Sequence, residues 1–327
     1  MNINPIFSDG VVFAAGKPIR VFGTGHGRVN VGFAGDVRTA EPDENGTWLV
    51  EFPPREASGP FELRYDGDGE KRVISDVFVG RVILLHGQSN IEFTLRESVY
   101  PPEKYEGCGS LRLYAHEAGA GWTRCTRENA GGWSAIGYHV GLRIAKECGV
   151  AVGLIACYQG ASVIQSWLPA GTLSEMGISF SPSEMHGDHF YPTFRTFNQD
   201  GYLYRNKVLP LLPFPLSDVI WYQGESNATP VEGRAYSAML KRLIEQRRAD
   251  FRDPDLPFTV VQLADCEARA GDGWSAVQDA QKRIGETVGG VRTVICRDIC
   301  ETDRIHPPTK EKLADRIADL WLRDWVH

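Results

Sequence analysis

A chain of 327 residues, 42% hydrophobic and 24% charged, can bury a substantial core and exceeds one average domain. Its formal net charge of −7, with no basic run, argues against nucleic acid or an anionic membrane surface as partner. No apolar stretch approaches the roughly 18 residues needed to span a bilayer, so no membrane partner is expected.

The first stretch, MNINPIFSDG, lacks a basic region followed by an apolar one, and a cytoplasmic location is expected. Residues 1–78 read as a small β-sandwich domain. Alternating runs at 18–22, 29–33, 47–52 and 61–65 are separated by turn clusters such as Asp43-Glu-Asn-Gly46. Asn45-Gly46 predicts a hairpin there.

Residues 79–327 have a different texture. Near-continuous apolar runs at 81–85, 151–157, 218–222, 258–263 and 292–297 predict strands covered on both faces. Helical periodicity over 133–147, 232–250 and 308–325 predicts helices between and after them, the last opening on Pro307-Pro308. Strand–helix alternation predicts an α/β fold with a parallel sheet and helices on both faces. The seven cysteines are scattered without zinc-site spacing and read as reduced thiols. His186 and His189 form an isolated pair without a third ligand, and no metal is expected.

Ligands of open parallel sheets bind beyond the carboxyl ends of the strands. Small polar loops stand at those ends: Gly87-Gln-Ser-Asn90, Tyr158-Gln-Gly-Ala-Ser162, Gln223-Gly-Glu-Ser-Asn227 and Glu301-Thr-Asp-Arg-Ile-His306. These loops hold the parts of an acyl-transfer site. Ser89 is the candidate nucleophile and needs a base. His306 can be that base, with Asp303 orienting its imidazole from the same loop. The N–H groups of Ser89 and Gly160 and the side-chain amide of Gln223 are candidate oxyanion donors, with Asn227 the alternative to Gln223. Gln88, Asn90 and Glu225 are candidates for support of the site or for substrate contact, and so is Trp167. Core packing is an equal reading for Trp167, and hydrogen-bonded support the favoured one for Glu225.

LLHGQSN (84–90), WYQGESN (221–227) and DRIHP (303–307) together resemble the sialate O-acetylesterase-like branch of the SGNH hydrolases, as do the N-terminal NPIFSDGVVFAAGKPIRVFG and LYRNKVLPL (203–211). The resemblance implies a flavodoxin-like α/β/α SGNH hydrolase domain, a Ser89–His306–Asp303 triad, an oxyanion hole from Ser89, Gly160 and Gln223, and no cofactor. It implies a small-molecule or oligosaccharide O-acetylated substrate. The chain departs from the family pattern at Ile91, where methionine is usual, and in CYQGASVIQSW (157–167); both departures bear on the pocket. An acetylxylan or other glycan deacetylase, and a vestigial carbohydrate-binding protein, are the alternative readings. An α/β-hydrolase lipase or peptidase fits less well, because the serine is not in G-x-S-x-G and the acid and histidine share one loop.

Overall fold

The computed structural model describes residues 2–67, 69–116, 119 and 121–325. The N-terminal strands are β1 (Asn2–Ile3), β2 (Val12–Ala14), β3 (Ile19–Thr24), β4 (Val29–Phe33), β5 (Asp36–Ala40), β6 (Thr47–Phe52) and β7 (Ser58–Gly67). They lead into β8 (Glu70–Gly87), an 18-residue strand. Beyond it lie α1 (Ser89–Glu92), β9 (Cys108–Ala115), β10 (Trp122–Cys125), α2 (Arg127–Ala130), α3 (Ala135–Cys148) and β11 (Val152–Tyr158). The remainder is α4 (Thr172–Glu175), β12 (Asp218–Tyr222), α5 (Pro230–Asp250), β13 (Phe258–Val261), α6 (Asp272–Thr287), β14 (Val291–Val294) and α7 (Glu311–Trp325).

β1, β3 and β6 form a three-stranded sheet. It packs on the sheet formed by β4, β5, β7 and the start of β8, with Trp48 stacked on Tyr65 at 5.7 Å and Phe33 edge-on to Phe52 at 5.9 Å. Asn45-Gly46 does not close a hairpin, because its flanking strands belong to different sheets: β5 pairs with β4 and β6 with β3. The tight turn lies instead at Ala34-Gly35, both at positive φ, between β4 and β5.

Residue 78 is not a break in the chain's structure. β8 pairs antiparallel with β7 through Val79, parallel with β2 over Phe78–Gly80, and parallel with β11 and β12 from Arg81 onward. One strand therefore serves both textures. The expected boundary between residues 78 and 79 marks a change of partner within that strand.

The large sheet runs β10-β9-β11-β8-β12-β13-β14, parallel except for β10 at its edge. The five expected strands stand as β11-β8-β12-β13-β14, and β9-β10 is an added pair. The chain reverses direction across the sheet at β8, whose neighbours are later strands on either side; such a switch point opens a crevice at the carboxyl edge.

Strand alternation sorts the helices. Leu85 and Leu154 face α3, where an added Cβ at Gly137 would meet both side chains. Thr259, two strands from Leu85 at the same level, receives the Trp321 indole N–H of α7. The opposite face carries Trp221, whose indole N–H reaches the Tyr236 hydroxyl of α5, and Thr293, which donates to the Gln281 carbonyl of α6. The result is a mixed α/β fold with helices on both faces of one large sheet. α6 was hidden in the sequence because its inward stripe includes Gln278 and Gln281 beside Trp274, Val277 and Ile284. α7 begins at residue 311 rather than 308: its first turn bond runs from Ala314 N–H to the Lys310 carbonyl.

Candidate active site

The site begins with how β8 ends. Gly87 has φ +136°, and a Cβ there would lie 2.2 Å from the Tyr222 carbonyl oxygen. Only glycine fits this close approach to β12. The chain is then tied on both sides, Gln88 N–H donating to the Tyr222 carbonyl and Gln159 N–H to the Gly87 carbonyl. Ser89 opens the single turn of α1 and is half-exposed. The turn is braced from α3, whose N-cap Ser134 accepts from Gly137 N–H at 3.1 Å and donates to the Ile91 carbonyl at 2.5 Å.

Ser89 Oγ lies 2.8 Å from His306 Nε2, across 217 positions of sequence. His306 is half-buried, and its pKa is lowered by burial and by the Lys310 ammonium, with Glu97 opposing. Gly160 abuts the serine: a Cβ on it would sit 3.6 Å from Ser89 Cβ and 3.1 Å from Glu92 Oε2. Among the described residues, the N–H groups of Ser89 and Gly160 have no hydrogen-bond acceptor. A hydroxyl, an imidazole and two N–H donors without an acceptor thus stand close together beyond the carboxyl ends of β8 and β11, the parts that acyl transfer requires.

Four candidate residues are placed otherwise. Asp303 is exposed and gives its two carboxylate oxygens to the Arg304 guanidinium at 2.9 and 2.6 Å. Among the described residues no carboxylate forms a hydrogen bond with His306, so Asp303 does not orient the imidazole in this structure. Gln223 is fully buried and its amide nitrogen already donates to the Ser162 carbonyl and to Asn227 Oδ1, each at 2.9 Å. In this structure both of its N–H bonds are committed to buried acceptors and neither is free for an oxyanion. Asn227, equally buried, donates to Gln165 Oε1 at 2.7 Å and Glu232 Oε1 at 3.1 Å, which removes the alternative donor too. Trp167 is core: it is 0% exposed, its indole N–H meets the Ser162 hydroxyl, and its ring packs edge-on against His86.

The support residues form cross-braces. Gln88 donates to the Ser226 hydroxyl and accepts from the Gly224 and Ser226 N–H groups. Glu225 is buried with its carboxyl pushed up by that burial, and its Oε1 accepts from Asn90 at 2.5 Å. His189 Nε2 lies 2.8 Å from Glu232 Oε1, and His186 N–H donates to Glu232 Oε2 at 2.6 Å. The two histidines thus clasp the 168–200 segment onto α5, and among the described residues no group of three or more His, Cys, Asp or Glu is placed to hold a metal ion.

The profile of the family described as "Carbohydrate esterase, sialic acid-specific acetylesterase" matches residues 79–323. The chain belongs to this carbohydrate esterase family. The sialate O-acetylesterases of Pongo abelii and Homo sapiens are each 25% identical to it over 322 residues, covering 85% of this chain and 60% of theirs. The chain therefore spans about 60% of the length of these curated relatives. The solved structure of a carbohydrate acetylesterase from Xanthomonas citri superposes with a TM-score of 0.85 at 29% identity, covering 97% of this chain and 73% of that one.

Two residues of this family member escape sequence reasoning. Glu97 is the carboxylate whose field favours the His306 imidazolium. It sits in a 3₁₀ turn, held by Thr94 N–H at 2.8 Å and Thr94 Oγ1 at 2.6 Å. The T-x-x-E capping box over 94–97 is the only signal the sequence offers for it. Lys310 sits two residues beyond Pro308 in what reads as a helix start, where a lysine is expected to face water. It is fully buried instead.

Proposed function

We propose that this chain is a serine esterase that removes O-acetyl groups from acetylated sugars, sialic acids first among them, through Ser89 and His306. The single observation that carries the reading is the 2.8 Å contact between Ser89 Oγ and His306 Nε2 at the carboxyl edge of the sheet. The family and the named relatives support the acetylated sugar as substrate class.

The geometry supports the following chemistry. His306 takes the Ser89 proton as the hydroxyl oxygen attacks the acetyl carbonyl, making a C–O bond. The negative charge that develops on the carbonyl oxygen is met by the N–H groups of Ser89 and Gly160. His306 returns the proton to the departing sugar oxygen as the ester bond breaks. Water, deprotonated by the same imidazole, then releases acetate and restores Ser89. Burial and Lys310 keep His306 neutral at pH 7, the state a base requires. A vestigial binding role is disfavoured by the intact hydroxyl–imidazole contact.

The deciding experiment is Ser89→Ala with acetate release measured over O-acetylated sialic acids, acetylated xylo-oligosaccharides and simple sugar acetates. Loss of release with the fold retained is expected, with the sialic acids turned over best by the unaltered chain. Release undiminished in Ser89→Ala would overturn the reading; a preference for xylo-oligosaccharides would move the substrate but keep the chemistry.

A further inference from the structure

The residue after Ser89 and the residue before His306 are bonded to each other. Asn90 Nδ2 donates to the Ile305 carbonyl at 2.9 Å and to Glu225 Oε1 at 2.5 Å, while Asn90 Oδ1 accepts from Lys310 Nζ at 2.6 Å. Chemistry fixes which way this amide points. An ammonium only donates, and a carbonyl or carboxylate oxygen only accepts. With Lys310 on one side, the oxygen of Asn90 must face it, and the NH₂ must face Ile305 and Glu225. A flipped amide would set NH₂ against ammonium and oxygen against oxygen.

Lys310 itself is an unusual group to bury. It is 0% exposed, and its ammonium lies 5.1 Å from the Phe93 ring centroid and 5.5 Å from that of Tyr222. Among the described residues it has no direct ion pair; its hydrogen bond goes to a neutral amide. An apolar residue would fill such a place at lower cost in desolvation, so stability does not account for the charge.

We propose that Lys310 is a positioning residue for the Ser89–His306 pair, acting through the Asn90 amide to hold the nucleophile turn and the histidine loop in register. The inference rests on the esterase reading above. Burial lowers the Lys310 pKa to about 8, so the ammonium persists at pH 7. The groups that face it are Asn90 from α1 and Phe93 just after it, Tyr222 at the end of β12 and Glu225 in the turn that follows, Cys296, Cys300 and Glu301 from the segment after β14, and His306. Glu97 acts on His306 from the far side, and Arg269 acts on Glu225. The proximity has an electrical consequence: Lys310 disfavours the imidazolium form of His306.

The test uses Lys310→Met, Lys310→Gln, Asn90→Ala and the Lys310→Met/Asn90→Ala double variant in the full chain, with 4-nitrophenyl acetate as substrate. Thermal unfolding reports folding, and kcat and KM are taken across pH. Displacing a catalytic pair by about an ångström costs on the order of 10²-fold, so Lys310→Met should lose about that in kcat with KM within about threefold. Lys310→Gln keeps an N–H donor and should retain more kcat than Lys310→Met. Both should move the acid limb of kcat/KM to higher pH, because removing a cation lets the His306 pKa rise. If Lys310 works through Asn90, the double variant should be no slower than the slower single one.

A folded Lys310→Met with wild-type kcat, or single losses that multiply in the double variant, would overturn the proposal. Should neither Lys310 variant fold, Asn90→Ala decides by the same threshold. Ser89→Ala separates the two readings: if it keeps activity the esterase reading fails, whereas an inactive Ser89→Ala beside a fully active Lys310→Met sinks the positioning role alone.

Discussion

Asp303 and Arg304, adjacent in the chain, are closed on each other, with the guanidinium holding the carboxylate at 2.9 and 2.6 Å and both side chains exposed. The pairing keeps the Asp303 carboxyl below its ordinary range, and among the described residues that carboxyl makes no hydrogen bond to His306. An acid that orients a catalytic imidazole is worth about 10⁴ in kcat in the serine-protease template. Asp303→Asn should therefore cost less than tenfold in kcat/KM for 4-nitrophenyl acetate. A loss of 10³ or more would mean that the loop turns Asp303 onto His306 during turnover.

Glu97 is the acid whose charge His306 does sense, and it is held ionised by Thr94. Its negative field favours imidazolium and so raises the His306 pKa. Glu97→Gln should shift the acid limb of kcat/KM to lower pH. A shift to higher pH, or none, would show that the two groups are not coupled.

For the unaltered chain, burial and Lys310 outweigh Glu97 and hold His306 below its ordinary 6.5. The neutral form is the base, so activity should persist as pH falls to 6.5 and be half lost only below it. A pH–rate profile of kcat/KM checks this directly; a midpoint above 6.5 would contradict it.

Gln223 belongs to a buried network rather than to the oxyanion. Its amide oxygen accepts from the Tyr236 hydroxyl at 2.8 Å while its nitrogen serves Ser162 and Asn227. Gln223→Leu leaves those partners buried and unpaired, which should cost about 1–3 kcal/mol in urea unfolding. Activity per folded molecule should stay within about tenfold. A loss of 10²–10³ in kcat at unchanged stability would restore Gln223 as an oxyanion donor.

Glu232 clasps the 181–199 stretch by accepting from His186 N–H and His189, and it also accepts from Gln165 and Asn227. Burial raises its pKa, but these donors, His189 foremost, outweigh it and leave the carboxyl below its ordinary 4.5. A depressed carboxylate stabilises the fold above its unfolded pKa and ceases to do so as pH falls through the folded one. Stability should accordingly decline below about pH 4.5 in the unaltered chain. In Glu232→Gln that share of the decline should vanish, and proteolytic cleavage within 181–199 at pH 7 should quicken. Equal cleavage rates in the two proteins would show that the clasp does not hold the segment.

Local pattern along the chain is enough to specify the five central strands, the helices α3, α5 and α7, and the candidacy of Ser89, Gly160 and His306. Apolar runs covered on both faces must be parallel strands, and small polar loops at their carboxyl ends must meet at the switch point. Packing in three dimensions settles what each polar side chain does there. Gln223, Asn227 and Trp167 have the right types for a site, yet their donors are committed to buried partners, because an unpaired buried polar group costs more than a loop can supply. Packing also carries β8 unbroken through residue 78, since strand pairing depends on partners distant in the chain. And it turns Lys310, a residue that reads as solvated, inward onto Asn90, a contact spanning 220 positions that no local pattern encodes.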